Sequence, residues 1–169
     1  MKTRDEAALF SAWVEATVDV VAPPSALRRR LLEDLAGPAR FGLLAGALGR
    51  VADLGAEAVA TLLRKVDELA AWNDAPFPGV RYFHFQAGAA AGAVEAGFVR
   101  VQPGARFPRH RHVGGEVTFV LDGLLHDRGQ VYGPGSVVEA APGTEHDYTA
   151  GPGRDLVLVS LHGGVEYLA

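Results

Sequence analysis

Three histidines and one glutamate, His110, His112, Glu116 and His146, carry the chemistry that is legible in this chain. His110 and His112 are two residues apart, so on an extended strand their side chains project to one face. Glu116 follows four positions later. The intervening Gly114-Gly115 permits a turn or bulge that re-aims its carboxylate at the same point. His146 follows Pro142-Gly143-Thr144-Glu145, a tight-turn signal that delivers it onto a neighbouring strand. Three imidazole nitrogens and one carboxylate suit a divalent transition metal (Zn, Fe, Mn, Ni or Cu), whereas Ca2+ and Mg2+ take oxygen shells. Thr118 and Tyr148, two beyond Glu116 and His146, share their faces and are expected to line a pocket. Arg100, two beyond Phe98 on the preceding strand, is a third pocket candidate, with a surface salt bridge as its favoured role. Structural or exposed roles are expected for the other histidines: His84 as a strand residue with a backbone partner, His126 in an exposed hairpin, His162 at a strand end.

These side chains need strands to hold them, and the sequence supplies strands from about Val80 onward. Short runs such as RYFHF, AGFVRV, EVTFVL and DLVLVSL are separated by Gly and Pro, the pattern of an all-β barrel or sandwich. If Glu116 faces inward, then Val117, Phe119 and Leu121 face outward. That apolar outer face must be covered, by helices of the same chain or by a second copy in a homodimer. The residues before Asn73 have a different pattern. Ser25 to Ala36 and the stretch from Asp53 to Trp72 carry apolar stripes at helical spacing, with Val59, Leu62, Leu63, Val66 and Leu69 on one face and Asp53 as a candidate cap. Asp5 to Val20 and Phe41 to Val51 are further helical stretches. The NDAPFPG segment, Asn73 to Gly79, marks the change, so residues 1–75 are expected to form a helical N-terminal region and residues 76–169 a β-barrel domain.

Composition removes several classes of function. The net charge is −4, from 16 Lys and Arg against 20 Asp and Glu, and no basic stripe is present to neutralise phosphates. Direct nucleic-acid contact is therefore not expected. The chain has no cysteine, which excludes disulfides, thiolate ligands and cysteine nucleophiles. The N-terminus places acidic residues where a secretory signal would be apolar, and FGLLAGALG is too short to span a bilayer. A cytoplasmic protein with no membrane role is the resulting expectation.

The two histidine-bearing stretches resemble the paired motifs of the cupin superfamily. Gly104, His110, His112, Glu116 and Gly123 match the first motif, G-x5-H-x-H-x3-E-x6-G, in full. Gly135, Gly143 and His146 match the second, with Ala141 and Ala150 standing where proline and asparagine are usual. The resemblance implies a mainly β cupin barrel (a double-stranded β-helix or jelly roll) with an N-terminal α-helical extension. Within the cupins, FVLDGLLHDRGQVYGPGSVVEAAPGTEH resembles ChrR-type anti-sigma factors, with Asp127, Gly129 and Tyr132 as an approximate match to the hairpin of that group. Ala22 to Gly37, APPSALRRRLLEDLAG, resembles the linker that follows its sigma-binding domain. This resemblance implies a regulatory or sensor protein with zinc as the first choice of metal, iron, manganese and nickel as alternatives, and a sigma factor or another protein held through the N-terminal helices. It also departs from that group, because without cysteine, and without any histidine before His84, the zinc site of the sigma-binding domain is missing. The alternative is a metal-dependent cupin enzyme, dioxygenase-like or isomerase-like, acting on a small-molecule ligand.

Overall fold

The computed structural model describes residues 24–26, 29, 38–92 and 94–168. The chain divides into two compact units, Met1–Gly37 and Pro38–Ala169. In the first, Ser25, Ala26 and Arg29 are helical and exposed. The expected helix Asp5 to Val20, and most of Ser25 to Ala36, lie outside the described residues.

The second unit begins with two helices, α1 (Gly42–Ala52) and α2 (Ala56–Lys65). Helix α1 buries Leu48 and Ala52, and α2 buries Val59 and Leu63, followed by buried Val66. The 59–63–66 spacing is the i, i+4, i+7 stripe of an amphipathic helix. The remainder of the expected stripe diverges, since Leu62 is half-buried and Leu69 is exposed. Asp53 does not cap α2. It adopts a left-handed conformation (φ 53°) that ends α1, and its carboxylate accepts the Ala90 N–H at 2.7 Å. Gly55 occupies the N-cap of α2 instead. The reversal between the helices has only three residues, and the orphan N–H in the distant 89–91 turn captures the side chain that local pattern assigned to the helix.

Eleven antiparallel strands follow among the described residues: β1 (Asn73–Asp74), β2 (Val80–Phe85), β3 (Glu95–Val101), β4 (Arg106–His112), β5 (Glu116–Asp122), β6 (Leu125–Asp127), β7 (Gln130–Tyr132), β8 (Val137–Ala140), β9 (Glu145–Ala150), β10 (Leu156–His162) and β11 (Val165–Tyr167). They form one six-stranded sheet, β1-β2-β3-β10-β5-β8, and one five-stranded sheet, β11-β4-β9-β6-β7. This is the cupin barrel expected from the paired motifs.

Two apolar cores result from strand alternation. The outward side chains of the six-stranded sheet, including Phe83, Phe98, Phe119, Leu121, Val159 and Leu161, pack with Leu48, Val59, Leu63 and Trp72 of the helical layer. The expected outward apolar face of β5 is thus covered by helices of the same chain. Burying a ring such as Phe98 or Phe119 contributes roughly 1.5–3 kcal/mol. Trp72 closes the layer edge-on against Phe83, with its Nε1–H donating to the Val66 carbonyl at 3.1 Å. The second core lies inside the barrel, where Val80, Val101, Val120, Leu125, Leu156 and Leu158 fill one end. Among the described residues no helix is long and apolar enough to cross a membrane.

Candidate metal centre

Strand β4 presents His110 and His112 to the barrel interior, both buried. Its neighbour β9 pairs antiparallel with it, setting His146 directly opposite His110. Glu116 begins β5 in the other sheet, so the turn between β4 and β5 carries the chain from one sheet to the other. Gly114 makes that turn workable: a Cβ there would lie 2.7 Å from the Cα of Gly163 in the turn between β10 and β11. The end of β4 is tied to the turn before β9 by Gly143 N–H donating to His112 O at 2.7 Å and His112 N–H donating to Thr144 O at 3.0 Å. One potential ligand atom from each of His110, His112, Glu116 and His146 lies within 4.8 Å of all the others.

Hydrogen bonding fixes which atoms face the centre. His110 Nδ1–H donates to the Pro108 carbonyl at 2.9 Å, and His146 Nδ1–H donates to the Asp127 carboxylate at 2.9 Å. A carbonyl and a carboxylate only accept, so each neutral ring keeps its proton on Nδ1. The two Nε2 atoms, 3.1 Å apart, then meet lone pair to lone pair. Two acceptors at that distance repel unless a cation sits beside both, and the spacing suits nitrogens sharing one metal at about 2.1 Å. His112 is buried with no hydrogen-bond partner among the described residues at either ring nitrogen. Its Nδ1 lies 3.1 Å from Glu116 Oε2, close enough for electrostatic attraction but not aligned as a hydrogen bond. Unpaired buried nitrogens cost free energy, so the orphaned ring is a second sign that the cluster fits a metal. Burial pushes the pKa of His110 and of His112 down, opposed at His110 by the Pro108 bond and at His112 by the Glu116 charge. Both shifts favour the neutral imidazole that can ligate.

Two supporting residues escaped the sequence reading. Asp127, buried on β6, orients His146 and is also paired with Arg128 at 3.2 Å. Ser160, on β10, donates a short 2.5 Å bond to Glu116 Oε1, and Thr118 donates to the same oxygen at 3.3 Å. Oε1 is thereby occupied, leaving Oε2 toward His112. Asp127 lay within the quoted hairpin but carried no spacing signal toward His146, and Ser160 stands in an otherwise apolar strand.

The pocket candidates separate. Tyr148 is buried inside the barrel, where desolvation raises its pKa well above the ordinary phenol range, and it lines a cavity of about 410 Å3 that opens beside the cluster. Thr118 reaches Glu116 but does not line the cavity. Arg100 points to the opposite face, over the Trp72 ring at 4.5 Å, with Nη2 donating to the Val66 carbonyl at 2.6 Å and Asp155 3.9 Å from Nε. Strand alternation sets this, because Arg100 shares the parity of outward Phe98. His84 and His162 line the cavity, roles that their sequence neighbourhood did not signal, whereas His126 is exposed as expected.

The ChrR cupin-like domain model matches residues 62–166. No curated protein matches the chain. Among solved structures, a chain of the complex between Rhodobacter sphaeroides SigE and the anti-sigma ChrR is similar over 91% of this chain and 75% of that one, at 21% identity and a TM-score of 0.56. An acetylacetone dioxygenase from Acinetobacter johnsonii is similar over 60% of this chain and 74% of its own, at 16% identity and a TM-score of 0.51. At these identities the likeness is one of fold.

Proposed function

This chain belongs to the ChrR cupin-like family, and from that premise we propose that it is a metal-dependent regulatory protein. In this reading His110, His112, Glu116 and His146 hold one divalent transition metal, zinc first, and the chain works in the cytoplasm as a helical N-terminal region, residues 1–75, joined to a barrel, residues 76–169. The observation that carries it is the two-faced character of β5. Glu116 points into the cluster from one face, while Phe119 and Leu121 on the other face pack under the helical layer. A change in what Glu116 touches is therefore passed through one strand to the surface on which the helices rest. Such a change alters partner binding only if this chain's two states differ in affinity for the signal. When bound, the metal would supply Lewis acidity. The chain's own residues do the rest: Asp127 holds the His146 tautomer, and Ser160 holds the Glu116 carboxylate.

A sigma factor is the partner this reading favours, held by helices that lack the cysteine- and histidine-bound zinc of the family's sigma-binding domain. The test is co-purification of the full chain, and of His112→Ala, with candidate sigma factors. A complex whose stability differs between the two proteins supports the reading; no complex with either sinks it. The cavity beside the cluster favours a second reading, a metal-dependent enzyme acting on a small molecule. Turnover that disappears in His112→Ala would move that reading to the front.

A further inference from the structure

The cavity owes its shape to three rows of inward side chains that cross the six-stranded sheet. The lowest row, Tyr82–Val99–Leu158–Val120, is filled by large apolar groups. One step along, the row is His84–Gly97–Ser160–Thr118. Its centre carries almost no side chain, and this is what hollows the barrel beside the cluster. A Cβ at Gly97 would already meet His84 at 3.0 Å. The third row, Glu95–His162–Glu116, runs carboxylate, imidazole, carboxylate across β3, β10 and β5.

The state of His162 follows from its partner. The Gly164 backbone N–H donates to Nδ1 at 3.1 Å, so Nδ1 accepts and the ring proton sits on Nε2. That Nε2 lies 4.0 Å from Glu95 Oε2, too far for a direct hydrogen bond. A donor and, on the exposed Glu95 side chain, an acceptor therefore lie with a gap between them. A hydroxyl group, which accepts once and donates once, satisfies both. Across the cavity stand the rings of Phe107, Tyr148 and Tyr167, with Phe107 and Tyr148 stacked at 4.8 Å. Among the described residues no lysine or arginine lines the cavity, and Glu95, which is not one of the four candidate donors, stands beside His162. The rings favour a flat ligand, and Glu95 disfavours a carboxylate in place of the hydroxyl.

We propose that the hollow over Gly97 binds a neutral, ring-bearing molecule carrying a hydroxyl group, of the phenol or naphthol class, with that hydroxyl between His162 Nε2–H and Glu95. The ligand lies beside Ser160 and Glu116, so it would supply the signal in the regulatory reading, on which this inference rests.

The test is calorimetric titration of the full metal-loaded chain with naphthol and naphthalene at neutral pH. Naphthol is expected to bind, with naphthalene weaker by about tenfold or more. Glu95→Gln and His162→Phe should each reduce the preference of naphthol over naphthalene. Gly97→Leu should abolish binding of both while metal content and the far-ultraviolet dichroism stay unchanged. Equal binding of naphthol and naphthalene, no naphthol binding to the metal-loaded chain, or naphthol binding unaltered in the Glu95 and His162 variants would overturn the proposal. Because those variants leave the metal ligands in place, the result stands even if Gly97→Leu fails to fold. The regulatory reading is scored apart: naphthol binding that leaves every sigma-factor complex unchanged removes the regulation and keeps the ligand class. A metal-sensitive complex without naphthol binding does the reverse.

Discussion

The outer faces of the two sheets solve opposite problems. On the six-stranded sheet the outward residues are phenylalanine, leucine and valine, and a helical layer lies over them. On β4, β9 and β11 of the five-stranded sheet the outward face carries charged, paired residues: Arg106 with Asp147, and Arg109 and Arg111 with Glu145, with Glu166 beside Arg111. The first face is stable only while covered, because exposed apolar area of that extent would drive association. The second is stable in water by itself, and exposed pairs of this kind add little to folding. The candidate centre bridges the two, taking three histidines from the five-stranded sheet and one glutamate from the six-stranded sheet. Any influence of the centre on a partner held through the helices therefore runs through Glu116 and β5, and the histidine side opens onto a solvated surface.

The contrast can be broken most severely at the covered face. Phe119→Ala removes a fully buried ring between the barrel and the helices, and is expected to lower stability by about 3–5 kcal/mol in urea unfolding. A loss below about 1 kcal/mol would mean that the helical layer is not integral to the barrel.

Asp127→Asn is the next largest effect. The amide can offer an N–H where His146 needs an acceptor, which releases the tautomer. Metal affinity should fall by about tenfold to a hundredfold in competition with a chelator, with the fold retained. In the parent protein, metal at a hundred times its dissociation constant should raise stability by about 2.7 kcal/mol, because the folded chain binds it and the unfolded chain does not. If Asp127→Asn binds metal as the parent does, the carboxylate is not a positioning group.

A smaller effect concerns acid. Burial lowers the pKa of His110 and His112 below the ordinary 6.5. In metal-free protein both are neutral in the folded and the unfolded state above that value. As pH falls from about 6.5 through the folded-state values, the unfolded chain takes up protons that the folded chain refuses, so stability declines with falling pH. Urea unfolding of chelator-treated protein across this range should show the decline, and His110→Gln should flatten it. The smallest effect is expected on the solvated face, where Arg111→Ala should leave the unfolding midpoint near that of the parent. A large shift there would erase the distinction between the two faces.

Much of this arrangement was legible beforehand, for reasons of periodicity. The two-residue alternation of strands placed His110 with His112, Tyr148 with His146, and Phe119 away from Glu116, and each of these placements is observed. Helical spacing likewise marked Val59, Leu63 and Val66. The reading went astray where a long-range partner outbid a local pattern. Asp53 turned from the next helix toward Ala90. Arg100 took the outer face, the side of its favoured salt-bridge role, beside Trp72, Val66 and Asp155.

The sequence by itself determined the candidate donor set, the barrel built to carry it and the need to cover one apolar face, because side-chain chemistry and short-range periodicity are local properties. Only the tertiary structure decided that Asp127 and Ser160 support the donors, and that Gly97, His162 and Glu95 shape the cavity beside them. Those relations depend on strand register, which pairs residues far apart in the chain, and no period within a single strand encodes which strand will become its neighbour.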